Sequence, residues 1–117
     1  MNDFTVTVEQ HPDRSLVAVA GELDLQTSPR LQDAVLAAPL GGQTLHLDLA
    51  EVSFMDSTGL NLLLRLRRRL RTEDGRLRIS GLQDQPARLL HLTGTYELLT
   101  ADDADPSDGS RRASARV

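Results

Sequence analysis

Three small polar residues and a glycine, Asp56, Ser57, Thr58 and Gly59, stand between an apolar segment and a long helical pattern. This spacing predicts that they form the cap and first turn of a helix. An aspartate in the cap position accepts hydrogen bonds from the unpaired N–H groups of the first turn and contributes about 1 kcal/mol to stability. A purely structural cap is therefore one interpretation of the segment, and it requires no further function.

Ser57 also has the setting of a hydroxyl that a kinase could modify. At the first position of a helix we expect it near the surface, where unpaired N–H groups and the helix dipole favour an anion. A phosphate adds about −1.5 to −2 charges. Two unit charges about 4 Å apart repel by about 4 kcal/mol at an effective dielectric constant of about 20. Phosphorylation of Ser57, or of Thr58 as the alternative acceptor, is thus predicted to expel a partner that presents an acid there.

A catalytic role for Ser57 is the first rival interpretation, because the serine follows an apolar strand and precedes a helix. The nucleophile elbow of hydrolases needs glycine two residues before the serine, and this position holds Met55. No histidine has the setting of a general base: we expect His46 on the exposed side of a strand, His91 on a helix face and His11 in a turn. The sequence therefore predicts no catalytic residue and no enzyme activity.

A metal site is not predicted either. The chain has no cysteine, and its three histidines do not fall at ligand spacing. A run of acids near the C-terminus lacks the glutamate that closes a calcium loop. These acids are Asp102, Asp103, Asp105 and Asp108. We expect them to form a solvated polar segment, and we expect no cofactor.

The charge distribution argues against nucleic acid as a partner. The net charge is −4, and the basic residues cluster between Arg65 and Arg71. Duplex binding relies on a broad basic footprint, which an acidic chain with one local cluster does not offer. Contact with RNA or an acidic partner remains an alternative for the cluster. The favoured interpretation is structural, because the arginines lie near a helix C-terminus, where the dipole attracts cations.

The elements that position these residues follow from hydrophobic periodicity. Alternation and turn residues predict a β-hairpin from residues 4–8 and 16–20, and alternating leucines predict a strand at 45–49. Helices are predicted from Thr27 or Ser28 before Pro29, from Ser57 to a stop at residues 74–75, and from Asp84 to Gly94. The buried face of the second helix is expected to hold Leu60, Leu63, Leu64 and Leu70. Short strands are expected at 77–80 and 97–100.

This order of elements predicts an α/β fold with a mixed β-sheet and helices packed mainly on one face. The 117 residues fit a single domain. We expect that domain at residues 1–102 and a disordered polar tail at 103–117, since the tail has almost no apolar side chains to offset its ordering entropy. No stretch approaches the length of a membrane span and no basic leader opens the chain, so a cytoplasmic protein without membrane contact is expected.

Residues 52–60, Val-Ser-Phe-Met-Asp-Ser-Thr-Gly-Leu, resemble the signature of STAS domains of the anti-sigma factor antagonist type. Residues 21–24, Gly-Glu-Leu-Asp, followed by Thr27, resemble that family's loop after the second strand. The likeness covers roughly residues 4–100. Two features depart from the family pattern: Asn61 and Leu62 stand where many relatives carry small residues, and a polar tail takes the place of the usual final helix.

The resemblance implies a partner-switching role. The unphosphorylated protein would bind an anti-sigma factor that is itself a serine kinase and so free the sigma factor. Phosphorylation at Ser57 would abolish that binding, and a PP2C-type phosphatase would restore it. Asp24 would join the start of the Ser57 helix in the docking surface, and the chain would be a monomer or weak dimer. The alternative within the family is a scaffold, lipid-transport or signalling-complex subunit without a sigma-factor role.

Overall fold

The computed structural model describes residues 4–38 and 43–100. These residues form four strands and four helices, in the order β1 (Thr5–Gln10), β2 (Arg14–Leu23), α1 (Ser28–Ala37), β3 (Thr44–Met55), α2 (Ser57–Thr72), β4 (Arg76–Ser80), α3 (Asp84–Leu92) and α4 (Tyr96–Thr100). The sheet has the strand order β1-β2-β3-β4. β1 is antiparallel to β2, whereas β2, β3 and β4 run parallel to one another. The predicted α/β fold with a mixed sheet is confirmed.

One face of the sheet is buried beneath helices. Burial alternates along β2 and along the first half of β3, as expected for strands with one covered face. The buried strand residues pair across the sheet, for example Val17 with Leu47 and Leu47 with Ile79. α1 contributes Leu31 and Val35 to the same core. This two-layer arrangement holds the loops at the carboxyl ends of β2 and β3 side by side.

The other face of the sheet is more open and carries His46, on the side of the strand where it was expected. His46 is half-buried there, and its Nε2 lies 2.8 Å from the hydroxyl oxygen of Ser80 on the neighbouring strand. Burial lowers the pKa of His46, the nearby cations Arg78 and Arg14 lower it further, and Asp48 partly opposes them. The prediction missed this environment because strand alternation says which face a residue occupies, not what its neighbours on that face are.

Helix α2 begins at Ser57 as predicted and buries a wider face than expected. Leu60, Leu63 and Leu70 lie in the core, whereas Leu64 is only half-buried. Leu62 and Leu66, which the prediction omitted, are 1% and 4% exposed. The reason is that α2 packs both on the sheet and against α1, so its apolar stripe is broader than one row of residues.

The end of α2 also follows the prediction. Asp74 has a φ of 64°, and the amide of Gly75 donates to the carbonyl of Leu70 at 2.7 Å. A Cβ on Gly75 would lie 2.7 Å from the carbonyl oxygen of Gln43. The chain therefore needs glycine here to pass close to the start of β3.

The strand expected at residues 97–100 is wrong, because Tyr96–Thr100 is the short helix α4. Helical geometry buries Leu99 in the core at 2% exposure and leaves Leu98 exposed. Four residues with two adjacent leucines suit either structure, so periodicity could not decide between them. A short helix therefore ends the described chain. The expected boundary at residue 102 and the tail at 103–117 lie outside the described residues.

None of the described helices has the length and apolar character that a membrane span requires.

Candidate functional site

The turn from β3 into α2 is built around Asp56. This residue has an extended backbone and forms the N-cap of α2. Its Oδ1 accepts hydrogen bonds from the amides of Thr58 at 2.9 Å and Gly59 at 3.1 Å. Two of the unpaired N–H groups of the first turn are thereby satisfied, and the predicted cap is confirmed.

The two candidate phosphoacceptors differ in accessibility. Ser57 is the first residue of α2 and is exposed, whereas Thr58 is half-buried. Within the part of the chain that the structure describes, the Ser57 hydroxyl makes no hydrogen bond. A modifying enzyme could therefore reach Ser57 without disturbing any contact of its side chain, which is less true of Thr58.

The loop between β2 and α1 is organised by a buried hydroxyl. Thr27 is 2% exposed. Its Oγ1 donates to the carbonyl of Glu22 at 2.6 Å and accepts from the amide of Asp24 at 2.9 Å. Asp24 Oδ1 in turn accepts from the amides of Gln26 at 3.0 Å and Thr27 at 3.1 Å. Thr27 occupies the predicted cap position of α1, but its side chain makes no cap hydrogen bond, because the hydroxyl is engaged in the loop.

The two loops meet at one edge of the sheet. Leu23 and Met55 are register partners at the ends of β2 and β3, and the amide of Asp56 donates to the carbonyl of Leu23 at 3.2 Å. A Cβ on Gly59 would lie 2.8 Å from that carbonyl oxygen. Gly59 thus allows the first turn of α2 to approach the β2 end closely. The structure brings the Asp24 loop and the Ser57 helix start together, at the carboxyl ends of neighbouring parallel strands. The resemblance of the two motifs to STAS domains had implied this proximity.

Two glutamines of the α3 region complete the site, and sequence reasoning missed both. β4 ends opposite Asp48, so among the residues that the structure describes the rest of β3 has no partner strand on that side. The side chain of Gln83 donates to the carbonyl of Ala50 at 2.7 Å. Gln85 accepts from the amide of Met55 at 2.8 Å and donates to its carbonyl at 3.0 Å. Amide side chains thus replace a strand, and no sequence pattern separates them from ordinary polar residues at a helix start.

Apolar side chains also lie exposed on the two segments that form the site. Leu25 follows Asp24 and is 70% exposed, and Phe54 near the end of β3 is 39% exposed. The sequence signal for Leu25 was available, because it follows the motif residue Asp24 in a turn where no strand or helix periodicity calls for an apolar residue. This edge therefore combines carboxylates with exposed apolar side chains.

The chemistry open to this edge is limited. It presents carboxylates, hydroxyls and backbone amides, and among its residues there is no histidine or lysine that could act as a general base. Across residues 4–38 and 43–100, no group of three or more histidines, cysteines or acids could hold a metal ion. The arrangement can dock a protein and can accept a phosphoryl group on an exposed hydroxyl.

Comparisons with known proteins agree with this geometry. The family model described as "Mlab, STAS domain" matches residues 6–100. The anti-sigma-B factor antagonist of Staphylococcus epidermidis is 37% identical over 100 residues, which are 85% of this chain and 90% of that protein. The corresponding antagonist of Listeria monocytogenes is 36% identical over 100 residues, with 85% and 88% coverage.

Solved structures give the same result. An anti-sigma factor antagonist from Mycobacterium paratuberculosis superposes with a TM-score of 0.72 at 33% identity, and the match covers 83% of each chain. The unphosphorylated form of the anti-sigma factor antagonist SpoIIAA gives a TM-score of 0.64 at 20% identity, covering 88% of this chain and 91% of that one. The latter likeness is one of fold.

Proposed function

The chain belongs to the STAS domain family, anti-sigma factor antagonist type, and on this premise we propose that it operates as the phosphorylatable switch of a partner-switching system. In its unphosphorylated form it binds an anti-sigma factor that is a serine kinase, and the sigma factor is released. The kinase then phosphorylates Ser57, and the complex dissociates. A PP2C-type phosphatase removes the phosphate and restores binding.

The observation that carries the proposal is the exposure of Ser57 at the first position of α2, with its hydroxyl in no hydrogen bond within the described residues. A phosphate on this oxygen would lie beside the start of the helix, where the dipole tolerates an anion. The fold therefore has no reason to resist the modification. The added charge acts on the bound partner and not on the internal packing of the domain.

Asp56 and Asp24 explain why a single phosphate is sufficient to weaken partner binding. Both carboxylates are already engaged by backbone amides of their own loops, so they are held in place as fixed negative groups. A partner that binds this edge must accommodate those charges. A phosphate on Ser57, directly after Asp56, raises the local negative charge by about 1.5 to 2 units, and a partner that presents an acid there is repelled by several kcal/mol at short range.

The proposed docking surface consists of Asp24, Asp56, Ser57, Thr58 and Gly59. Thr58 and Gly59 contribute through their backbone, because their amides hold the Asp56 carboxylate. ATP and magnesium belong to the kinase, so the chain needs no cofactor of its own. It acts as the substrate of the kinase and not as a catalyst.

The proposal is tested with the purified chain, candidate anti-sigma kinases and ATP. Labelling is followed by mass spectrometry in the wild type, Ser57→Ala and Thr58→Ala. Binding in the absence of ATP is measured for Ser57→Ala and Ser57→Asp. Gln10→Glu is the matched control, because it adds one negative charge at an exposed residue of the opposite sheet edge, where Glu can still accept the hydrogen bond from Ser15.

We expect Ser57→Ala to lose labelling and keep binding. Ser57→Asp should bind about tenfold more weakly or worse, and Gln10→Glu should bind like the wild type. Undiminished labelling of Ser57→Ala would move the acceptor to Thr58. Equal affinity of Ser57→Ala and Ser57→Asp would contradict the electrostatic switch. Absence of both kinase binding and labelling would instead support the scaffold role within the family.

A further inference from the structure

Helices α1 and α2 enclose an open groove of about 460 Å³ on the helical side of the domain. Leu36 of α1 and Leu62 and Leu66 of α2 contribute apolar surface to it. Leu36 is 48% exposed, which is high for a leucine on a packed helix. The groove is lined on the α2 side by Arg65, Arg68 and Arg69. It therefore combines apolar side chains with a basic border.

The arginines of α2 exceed what the helix itself can use. The helix carries five arginines and no acid. In the described part of the chain, Arg69 alone among them forms an ion pair, with Glu73 at 3.4 Å. Only Arg69 and Arg71 lie in the last turn, where the dipole favours cations. The structural interpretation of the cluster thus leaves Arg65 and Arg68 without an explanation.

We propose that this groove binds an acidic amphipathic helix of a partner protein. Arg65, Arg68 and Arg69 are spaced i, i+3 and i+4, so they form one row along α2 that follows the groove. A partner helix that places leucines towards Leu36 and Leu66 would present its flanking acids to this row. Helix-in-groove recognition uses this combination of apolar anchors and complementary flanking charge.

Other occupants fit the lining less well. Among the described residues, no aromatic side chain borders the groove for bases to stack on. The chain as a whole carries a net charge of −4, so nucleic acid lacks both stacking partners and a broad basic footprint. The chain's own acidic residues 101–108 are another candidate occupant, because their charge is opposite to that of the arginines. Their only apolar side chains are those of alanine and proline, which are too small to cover the leucines.

The groove is separate from the docking surface around Ser57, since its lining on α2 runs from Leu62 to Thr72 and includes none of the docking-surface residues. The inference therefore does not depend on the proposed function. A failure to bind a kinase at the Ser57 edge would not contradict the groove proposal. A failure to bind the acidic peptide in the groove would likewise not contradict the proposed function.

The test uses the full chain and a fluorescent synthetic peptide of about 14 residues, long enough for a helix to form on binding. The peptide carries leucines at i, i+3, i+4 and i+7 and glutamates at most other positions. A second peptide has lysine in place of glutamate, and a third has the same composition with the leucines at scrambled positions. Binding is followed by fluorescence anisotropy at low and physiological salt.

The protein variants are Arg65→Glu/Arg68→Glu/Arg69→Glu and its charge-matched control Arg14→Glu/Arg78→Glu/Arg88→Glu, whose residues do not line the groove. Two milder variants, Arg65→Gln/Arg68→Gln and Leu36→Gln, keep the test decisive if the triple reversal does not fold. Ser57→Asp is included to separate this groove from the other docking surface.

We expect the acidic peptide to bind the wild type, the control and Ser57→Asp equally, and the groove variants about tenfold more weakly or worse. The lysine and scrambled peptides should bind poorly. The proposal is overturned if the scrambled peptide binds as well as the ordered one, or if a single-stranded RNA oligonucleotide or phosphatidylserine vesicles bind more tightly and compete it off. It is also overturned if Asp102→Asn/Asp103→Asn/Asp105→Asn/Asp108→Asn raises peptide affinity about tenfold, because the chain would then fill its own groove.

Discussion

The side-chain amide of Gln85 holds the backbone of Met55 at both ends: it accepts from the amide at 2.8 Å and donates to the carbonyl at 3.0 Å. Met55 is the last residue of β3 and directly precedes the cap of α2. The position of Ser57 at the surface therefore depends on a residue of another helix, which lies 30 positions after Met55 in the chain.

Gln85→Ala should lower the free energy of unfolding by about 1–3 kcal/mol, because it leaves an amide and a carbonyl of Met55 without a partner. Urea denaturation of both proteins measures the difference. Gln83→Ala is the matched control, because Gln83 is exposed and its side chain makes a single hydrogen bond, to the carbonyl of Ala50. Its loss should lower the free energy of unfolding by about 0.5 kcal/mol, the lower end of the range for one hydrogen bond. Equal losses in the two variants would show that the two hydrogen bonds to Met55 together contribute no more to stability than the single bond to Ala50.

Thr27→Val should destabilise the protein by about 1–3 kcal/mol and weaken partner binding, because the amide of Asp24 and the carbonyl of Glu22 lose a buried hydroxyl partner. Valine has nearly the same shape, so the change isolates the hydroxyl. Thr27→Ser restores the hydroxyl and should recover most of the binding. Thermal unfolding and a binding titration check both parts. If Thr27→Ser bound the partner as weakly as Thr27→Val, this would contradict the claim that the hydroxyl is what organises the loop.

Gly59→Ala should be destabilising by about 1–3 kcal/mol through overpacking, even though alanine is the better helix former. The new Cβ would lie 2.8 Å from the carbonyl oxygen of Leu23 and 2.9 Å from its Cγ, and the backbone oxygen cannot move cheaply. Gly94→Ala provides the comparison. Nothing lies within 4 Å of its Cβ position, and only its φ of +74° opposes the change. The denaturant midpoints of the two variants and the wild type measure their relative stabilities. A Gly59→Ala protein more stable than the wild type would contradict close packing of the two loops.

His46 predicts a pH dependence of stability. Burial, Arg78 and Arg14 lower its pKa below the ordinary 6.5. The unfolded chain therefore takes up this proton more readily than the folded one. Above the pKa that His46 has in the unfolded chain, this difference does not affect the free energy of unfolding. The free energy of unfolding decreases as the pH falls through 6.5 towards the lower pKa that His46 has in the folded state. His46→Gln, which can still bond Ser80, should lose less stability than the wild type between pH 7 and pH 5. Unfolding curves at several pH values measure it, and parallel slopes would refute the shift.

Sequence reasoning identified most of the framework. The hairpin, the strands at 45–49 and 77–80, the start of α2 at Ser57 and its stop at residues 74–75 all follow from local periodicity and capping chemistry, and they are confirmed. The Asp56 cap was predictable for the same reason, since its partners are two and three residues away. The assignment of Ser57 as the acceptor stays a prediction.

The parts that could not be predicted depend on contacts between distant segments. Gln85 and His46 are set by partners 30 and 34 residues away, and neither type of residue signals its partner. The helix at 96–100 was missed because a short apolar run suits both structures. The groove beside Arg65 arises only when α1 lies against α2, so the arginines looked like a feature of one helix end.

The length of α2 has a consequence for the two proposed binding surfaces. Arg65 and Arg69 follow Ser57 by eight and twelve residues, which places them about 12 and 18 Å farther along the helix axis. The Debye length at physiological ionic strength is about 8 Å. A phosphate at the start of the helix is therefore largely screened from the arginines. Helix α2 can in this way carry two binding surfaces whose charges act independently. A partner bound at the groove would stay bound while the partner at the Ser57 end dissociates and is replaced.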